Sequence, residues 1–123
     1  MKNLDYSLEY CLNILKREVQ NLSLNPEEYD KRLVSSLKDY LTIDIASEWE
    51  YEHFKYFIDR LLNDKKINQE IVDLFKKIIS AFENVSQDIE EIWTLEGFKN
   101  HPFWIGQREL ANILLEKLNH VII

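Results

Sequence analysis

The residue pattern that comes closest to known chemistry is the Glu-x-x-His pair formed by Glu50 and His53. On a helix this spacing places both side chains at neighbouring positions of one face. Helical di-iron sites use two such pairs, together with one glutamate from each of two further helices. Neither His101 nor His120 has a glutamate three residues before it, so the sequence predicts no metal site.

Other catalytic patterns are missing from the sequence. It contains no His-Glu-x-x-His zinc motif, phosphate-binding loop, nucleophile elbow or dinucleotide fingerprint. Cys11 lies on an apolar helical stripe and is expected to be a buried small hydrophobe. The sequence therefore predicts a protein that is not an enzyme and needs no cofactor, although an acid–base pair assembled from distant carboxylates stays open.

The charges of the chain are unevenly distributed. Its formal net charge is −7, from 22 acidic and 15 basic residues. Residues 39–54, the first acidic segment, and residues 78–98, the second acidic segment, each carry five carboxylates and no lysine or arginine. This excess argues against nucleic acid and against an anionic membrane as partners, and favours a basic protein.

Each acidic segment also contains a tryptophan, Trp49 in the first and Trp93 in the second. At 100° per residue, Trp49 lies about 140° from Phe54, opposite the expected buried face of its helix. Aromatic residues framed by charge are typical of protein interfaces, whereas Trp93 is expected to pack in the core beside Ile89. The predicted partner-binding residues are Asp44, Glu48, Trp49, Glu52, Tyr56, Asp88, Glu90, Glu91 and Glu96. The alternative is that Trp49 and Tyr56 pack against another helix.

The elements that must position these residues are all predicted to be helices. Apolar residues make up 46% of the chain, and two glycines and two prolines are well below their usual shares of about 7% and 5%. The pattern predicts an all-α fold, a compact single domain over residues 1–123 with about five to six helices. The predicted helices cover about 4–22, 26–41, 48–62 and 69–85, a shorter helix opened by Ser86, and 102–118.

Particular residues are predicted to begin or end these helices. Ser47 and Glu50 match a capping box, Asn68 is a predicted N-cap, and Pro102 suits a first helical position. Gly97 is predicted to end a helix in the left-handed conformation.

The two ends of the chain carry further apolar patterns. The first predicted helix has a second stripe, Tyr6, Tyr10 and Ile14, so it either crosses the middle of the bundle or offers a face to a partner. The apolar tail 121–123 is expected to fold back.

Asp5 and Glu9 interrupt the N-terminal apolar pattern, which therefore does not resemble a signal peptide. No stretch approaches the ~20 apolar residues of a membrane span, and the expected location is the cytoplasm.

In size, acidity and helical character the whole chain resembles the immunity proteins of bacterial toxin systems. These include bacteriocin immunity proteins and the partners of contact-dependent growth inhibition and other polymorphic toxins. The acidic and aromatic stretches 44–52 and 88–96 resemble a toxin-facing surface, while the chain is longer than the four-helix colicin immunity type. The resemblance implies a non-enzymatic inhibitor that occludes a basic nuclease sterically and electrostatically, without a cofactor; it leaves the oligomeric state open.

Three other classes stay open. One is an acidic phage-type inhibitor that mimics nucleic acid, which needs carboxylates at phosphate-like spacing over one face. The carboxylates of this chain instead cluster in two segments beside aromatic residues. A metal-dependent or acid–base enzyme would rest on Glu50 and His53. A helical oligomerisation or adaptor module would use the two-sided first helix.

Overall fold

Helices are the only regular secondary structure in the residues described by this computed structural model, which are 6–23, 46–86 and 88–123. The all-α prediction is confirmed. The predicted second helix, 26–41, and Asp44 lie outside the described residues. The observed elements are α1 (Leu8–Ser23), α2 (Tyr51–Asn63), α3 (Gln69–Asn84), a 3₁₀-helix (Glu90–Trp93), α4 (Leu95–Asn100) and α5 (Pro102–Asn119).

Helix α5 is the centre of the described packing, since it contacts α1, α3 and α4. Neighbouring residues define the start of α5. His101 Nδ1 accepts a hydrogen bond of 3.1 Å from the Phe103 amide, and Pro102 occupies the first helical position, which confirms its prediction. The side-chain amide of buried Gln107 donates a hydrogen bond of 3.0 Å to the Ile78 carbonyl. This bond satisfies a buried polar group and connects α5 to α3. Trp104 is completely buried.

Helix α1 packs one apolar face against α5 and α2. The buried residues are those that the helical spacing predicted: Cys11, Leu12, Leu15, Val19 and Leu22. Full burial of such aliphatic side chains stabilises the fold by about 1.5–3 kcal/mol each. The face predicted for the first helix is therefore confirmed over the described residues.

The turn between α2 and α3 is built from backbone hydrogen bonds. Lys65 has a positive φ of 60°, and the amide of Lys66 donates to the Leu61 carbonyl at 2.8 Å. Asn68 Oδ1 then accepts from the Ile71 amide at 3.1 Å, which confirms the predicted N-cap. The apolar stripe predicted for this helix is buried at Ile71, Phe75, Ile78, Ile79 and Phe82 and only partly buried at Leu74.

The start of α2 differs from the prediction. Residues 46–48 are helical, but the backbone leaves the helical conformation before Tyr51. Glu50 is the N-cap, with extended φ and ψ of −108° and 140° and no side-chain capping hydrogen bond, so the predicted capping box with Ser47 is wrong.

This break also explains the position of Trp49. Because Trp49 precedes α2, counting 100° per residue from Phe54 does not apply to it. Trp49 is only 2% exposed, and its ring centroid lies 4.9 Å from that of Phe54 and 6.2 Å from that of Phe75. The prediction that Trp49 is an exposed partner-binding residue is wrong; the alternative, packing against another helix, describes it.

The region around Gly97 also differs from the prediction. The shorter helix expected from Ser86 is replaced by the 3₁₀-helix and α4, and no glycine in the described residues has positive φ. Gly97 lies inside α4, where an added Cβ would come within 1.6 Å of the Glu91 carbonyl oxygen. Glycine is required here because the backbone of α4 packs directly on the 3₁₀-helix.

Two apolar predictions near the surface hold only in part. Val121 packs against the core, but Ile122 and Ile123 are 85% and 45% exposed, so only the first tail residue folds back. Ile89 is exposed, contrary to its predicted inward position, since the 3₁₀-helix begins after it. Among the described helices, none has the length and apolar character needed to cross a membrane.

Candidate partner-binding site

A cleft of about 680 Å³ opens where the approach to α2, the C-terminal end of α3 and the 3₁₀-helix meet. We call it the acidic cleft. It brings together the first and second acidic segments, which are separated in sequence by residues 55–77. Its lining residues are Ala46, Ser47, Trp49, Glu50, Phe82, Glu83, Glu90, Trp93 and Thr94.

The charges lining the acidic cleft are all of one sign. Glu50, Glu83 and Glu90 are exposed and come from three different elements. No lysine or arginine is among the lining residues that the structure describes. His53 Nε2 lies 3.9 Å from Glu50 Oε2 and can offset one charge only when protonated. Like charges beside low-dielectric walls focus a negative potential into the cleft.

Aromatic side chains form the apolar part of the acidic cleft. Trp49 lies beneath it, with its ring centroid 6.4 Å from that of Phe82. Trp93 is partly buried, as expected of a core contact, and its ring stands edge to face with Trp104 at 6.2 Å. The cleft therefore combines an aromatic wall with a rim of carboxylates.

The Glu90 side of the acidic cleft is held rigidly. Trp104 Nε1 donates a buried hydrogen bond of 2.7 Å to the Ile92 carbonyl, which ties the 3₁₀-helix to α5. Thr94 Oγ1 accepts from the Gly97 amide at 2.9 Å and caps α4. Arg108 donates to the Phe98 and Lys99 carbonyls at the end of α4, at 2.6 and 3.2 Å. These contacts fix the cleft wall without using its carboxylates.

Most of the predicted partner-binding residues do not line this cleft. Trp49 and Glu90 line the cleft. Five others, Glu48, Glu52, Asp88, Glu91 and Glu96, are exposed but do not line it, and Asp44 lies outside the described residues. Glu50 and Glu83 belong to the acidic segments but were not predicted as binding residues. Membership of those segments was the signal that could have found them.

Glu48 faces a carboxylate on α1. Burial, followed by the negative charge of Glu48, raises the pKa of the Glu18 carboxyl above its ordinary value, while Arg17 and His53 lower it in part. Arg17 Nη2 is 3.6 Å from Glu18 Oε1. Glu18 lies outside both acidic segments, next to Lys16 and Arg17 in sequence, so the charge pattern did not reveal it.

Tyr56 lies on a different surface, which we call the tyrosine surface: Tyr6, Tyr10, Tyr56, Phe57 and Arg60. Tyr6 stacks on Tyr10 at 4.7 Å and meets Tyr56 edge to face at 5.9 Å. Arg60 Nη1 donates to the Tyr6 carbonyl at 2.7 Å and to Tyr56 Oη at 3.0 Å. The predicted second stripe of the first helix is thus exposed at its two tyrosines, while Ile14 is partly buried.

The described residues offer limited chemistry. No group of three or more His, Cys, Asp or Glu side chains among them is arranged to hold a metal ion. Burial raises the pKa of the Cys11 thiol, with the charge of Arg60 opposing it in part, so the nucleophilic thiolate is disfavoured.

Comparisons with protein-family models, with curated proteins and with solved structures found no match. The acidic cleft and the tyrosine surface are therefore interpreted from their own residues.

Proposed function

We propose that this protein is a non-enzymatic inhibitor that binds a basic protein through the acidic cleft and the carboxylates around it. In the form we favour, it is a cytoplasmic immunity protein, and its partner is a bacterial toxin with a basic nuclease domain. The observation that carries this proposal is that both acidic segments converge on one aromatic-walled cleft with no basic residue among its described lining residues.

The mechanism is occlusion of a cationic surface. A nuclease needs clustered lysine and arginine to hold phosphates, and the exposed carboxylates around the acidic cleft complement such a surface. Complementary charge accelerates association and fixes the orientation of the complex. The inhibitor then blocks access of nucleic acid without any chemical step.

The distribution of carboxylates supports a broad contact. Glu48 and Glu52 are exposed near the start of α2, and Asp88 and Glu91 are exposed near the 3₁₀-helix. Exposed charges at the rim of an interface act mainly on association rate and are screened by salt. Binding that weakens steeply with ionic strength is therefore expected.

The test is co-expression with the product of the neighbouring reading frame, followed by an affinity and toxin-activity measurement. The variant Glu48→Lys/Glu52→Lys/Glu90→Lys/Glu91→Lys is expected to bind about 100-fold more weakly, because four attractive charges become repulsive. The control reverses four exposed carboxylates elsewhere, Glu9, Asp64, Asp73 and Glu109. Unchanged affinity in the first variant, or no inhibition of a toxin, would contradict the proposal.

The tyrosine surface favours a second candidate, a helical oligomerisation or adaptor module. Tyr6, Tyr10 and Tyr56 are 45%, 43% and 39% exposed, and tyrosine and arginine are enriched at interface hot spots. Sedimentation analysis distinguishes this candidate: a self-associating chain should become monomeric in Tyr10→Ser but not in Glu90→Gln. A wild-type chain that is monomeric at all concentrations excludes oligomerisation through this surface.

A further inference from the structure

We infer that the acidic cleft receives an arginine side chain of the basic partner, with the guanidinium seated between the carboxylates and the aromatic wall. The inference rests on the proposed function and specifies the chemistry of its central contact. It follows from the size of the cleft, the sign of its charges, the aromatic side chains in it and the rigidity of its wall.

The size of the acidic cleft suits a long side chain together with its neighbouring backbone. At about 680 Å³ it lies within the range of roughly 300–1,000 Å³ found for small-ligand sites. It is open to solvent at Glu50, Glu83 and Glu90, which are exposed. A segment of another protein can therefore insert a side chain without displacing the described core.

The charges of the cleft select a cation. Glu50 precedes α2, Glu83 lies in the last turn of α3, and Glu90 opens the 3₁₀-helix. The C-terminal end of α3 adds the negative end of a helix dipole, and its last turn contains no basic residue. Two independent sources of negative potential, side chains and backbone carbonyls, thus meet at the cleft.

The aromatic side chains favour arginine over lysine. A guanidinium is weakly hydrated, stacks on aromatic rings and binds carboxylates through two parallel hydrogen bonds, whereas an ammonium is strongly hydrated. Phe82 and Trp93 line the cleft together with the three glutamates. An apolar occupant would leave the carboxylates without complementary charge, and an anion would be repelled.

The wall that carries Glu90 and Trp93 is formed before any ligand arrives. The buried hydrogen bond from Trp104 to the Ile92 carbonyl and the Thr94 cap on α4 hold it in place. A preorganised site avoids the entropic cost of ordering on binding. Binding of a short peptide is therefore expected to be detectable without the rest of the partner.

The experiment uses the full chain and three capped tripeptides, alanine-arginine-alanine and its lysine and citrulline counterparts, observed by ¹⁵N NMR. Citrulline keeps the shape of arginine without its charge. The arginine peptide should shift the Trp93 indole N–H and the amides of residues 47–50 and 90–94 with millimolar affinity. The amides of α1, none of whose residues lines the cleft, serve as internal references. The lysine peptide should bind more weakly, and the citrulline peptide should cause no saturable shift.

A matched pair of variants tests the carboxylates. Glu50→Gln/Glu83→Gln/Glu90→Gln should bind the arginine peptide at least about tenfold more weakly, since the attraction is electrostatic. Glu9→Gln/Asp64→Asn/Glu109→Gln removes three exposed charges elsewhere and should retain wild-type affinity. Amide fingerprints of both variants verify that the fold is preserved.

Two results would overturn the inference. The first is an equal response to citrulline and arginine, and the second is unchanged affinity in the cleft variant. Failure of the arginine inference can be distinguished from failure of the proposed function. If the cleft variant still inhibits the toxin but the four-lysine variant does not, only the arginine inference is wrong.

Discussion

Two clefts in the described residues differ in how their charges are paired. The acidic cleft has three carboxylates and no basic residue in its described lining. A second cleft of about 910 Å³ lies between the α2–α3 turn and the C-terminal end of α5, and we call it the mixed cleft. Its charged residues are of both signs, and Lys117 Nζ lies 2.5 Å from Glu70 Oε1. The remaining charges of its lining are Lys65, Lys66 and Glu116.

The two clefts therefore differ in charge balance as well as in volume, and the proposed function rests on the charge balance. The mixed cleft is the larger of the two, but its ion pair cancels much of its own field. An exposed pair of this kind contributes little to stability, about 0–1 kcal/mol, yet it removes the unbalanced charge that would attract a ligand. The acidic cleft keeps its unbalanced negative charge, and for this reason we propose that it binds a cationic side chain.

The largest expected effect concerns the base of the acidic cleft. Trp49→Ala should lower the free energy of unfolding by about 3–5 kcal/mol, because it empties a buried indole site. Denaturant unfolding measures this loss. Tyr10→Ala, at a residue that is 43% exposed, is the control and should have a much smaller effect. Comparable losses in both variants would mean that Trp49 is a surface residue after all.

Gly97→Ala tests the rigidity of the cleft wall. Its new Cβ would meet the Glu91 carbonyl, so the backbones of α4 and the 3₁₀-helix must separate, at a cost of about 1–3 kcal/mol. Gly106→Ala is the matched control inside α5: its Cβ meets nothing within 4 Å, and alanine should stabilise the helix by up to ~1 kcal/mol. Thermal melts should move in opposite directions, and parallel shifts would contradict the close backbone contact.

Removing charges from each cleft should change the free energy of unfolding in opposite directions. Glu50→Gln/Glu83→Gln/Glu90→Gln removes mutual repulsion and should raise the free energy of unfolding by about 0.5 kcal/mol at low salt. Glu70→Gln breaks the pair with Lys117 and should lower it by about 0.5 kcal/mol. Unfolding at low salt and at about 1 M salt checks both, because screening should remove most of each difference. Effects of the same sign would remove the distinction between the clefts.

The smallest expected effect is a pH dependence at Glu18. Because its pKa is raised by folding, the folded chain holds this proton more tightly, so stability falls as pH rises from the ordinary value of 4.5 through the folded value. Glu18→Gln avoids this loss and should be more stable than wild type at pH 7, by about 0.5 kcal/mol. The difference should vanish below the ordinary pKa, where both side chains are neutral. An equal gain at acid pH would point to a cause other than charge.

Much of the fold could be predicted because its signals are local. The apolar stripes of α1 and α3 lie largely on the faces that became buried. The cap at Asn68 and the start of α5 at Pro102 depend only on residues a few positions away. A helix and its cap are specified within a few residues, by periodicity and by hydrogen bonds to adjacent backbone groups.

The candidate site was predictable only in its composition. The sequence by itself determined two segments without cations, each with a tryptophan. The tertiary structure decided that Glu50, Glu83 and Glu90 line one cleft, that Trp49 lies beneath it, and that Tyr56 belongs to the tyrosine surface. The helix break before Tyr51 overturned the predicted capping box and the predicted exposure of Trp49, and the contact at Gly97 explains why that glycine lies inside α4. Both depend on which surfaces pack together, and that is set by contacts between residues distant in the chain rather than by the pattern of neighbours.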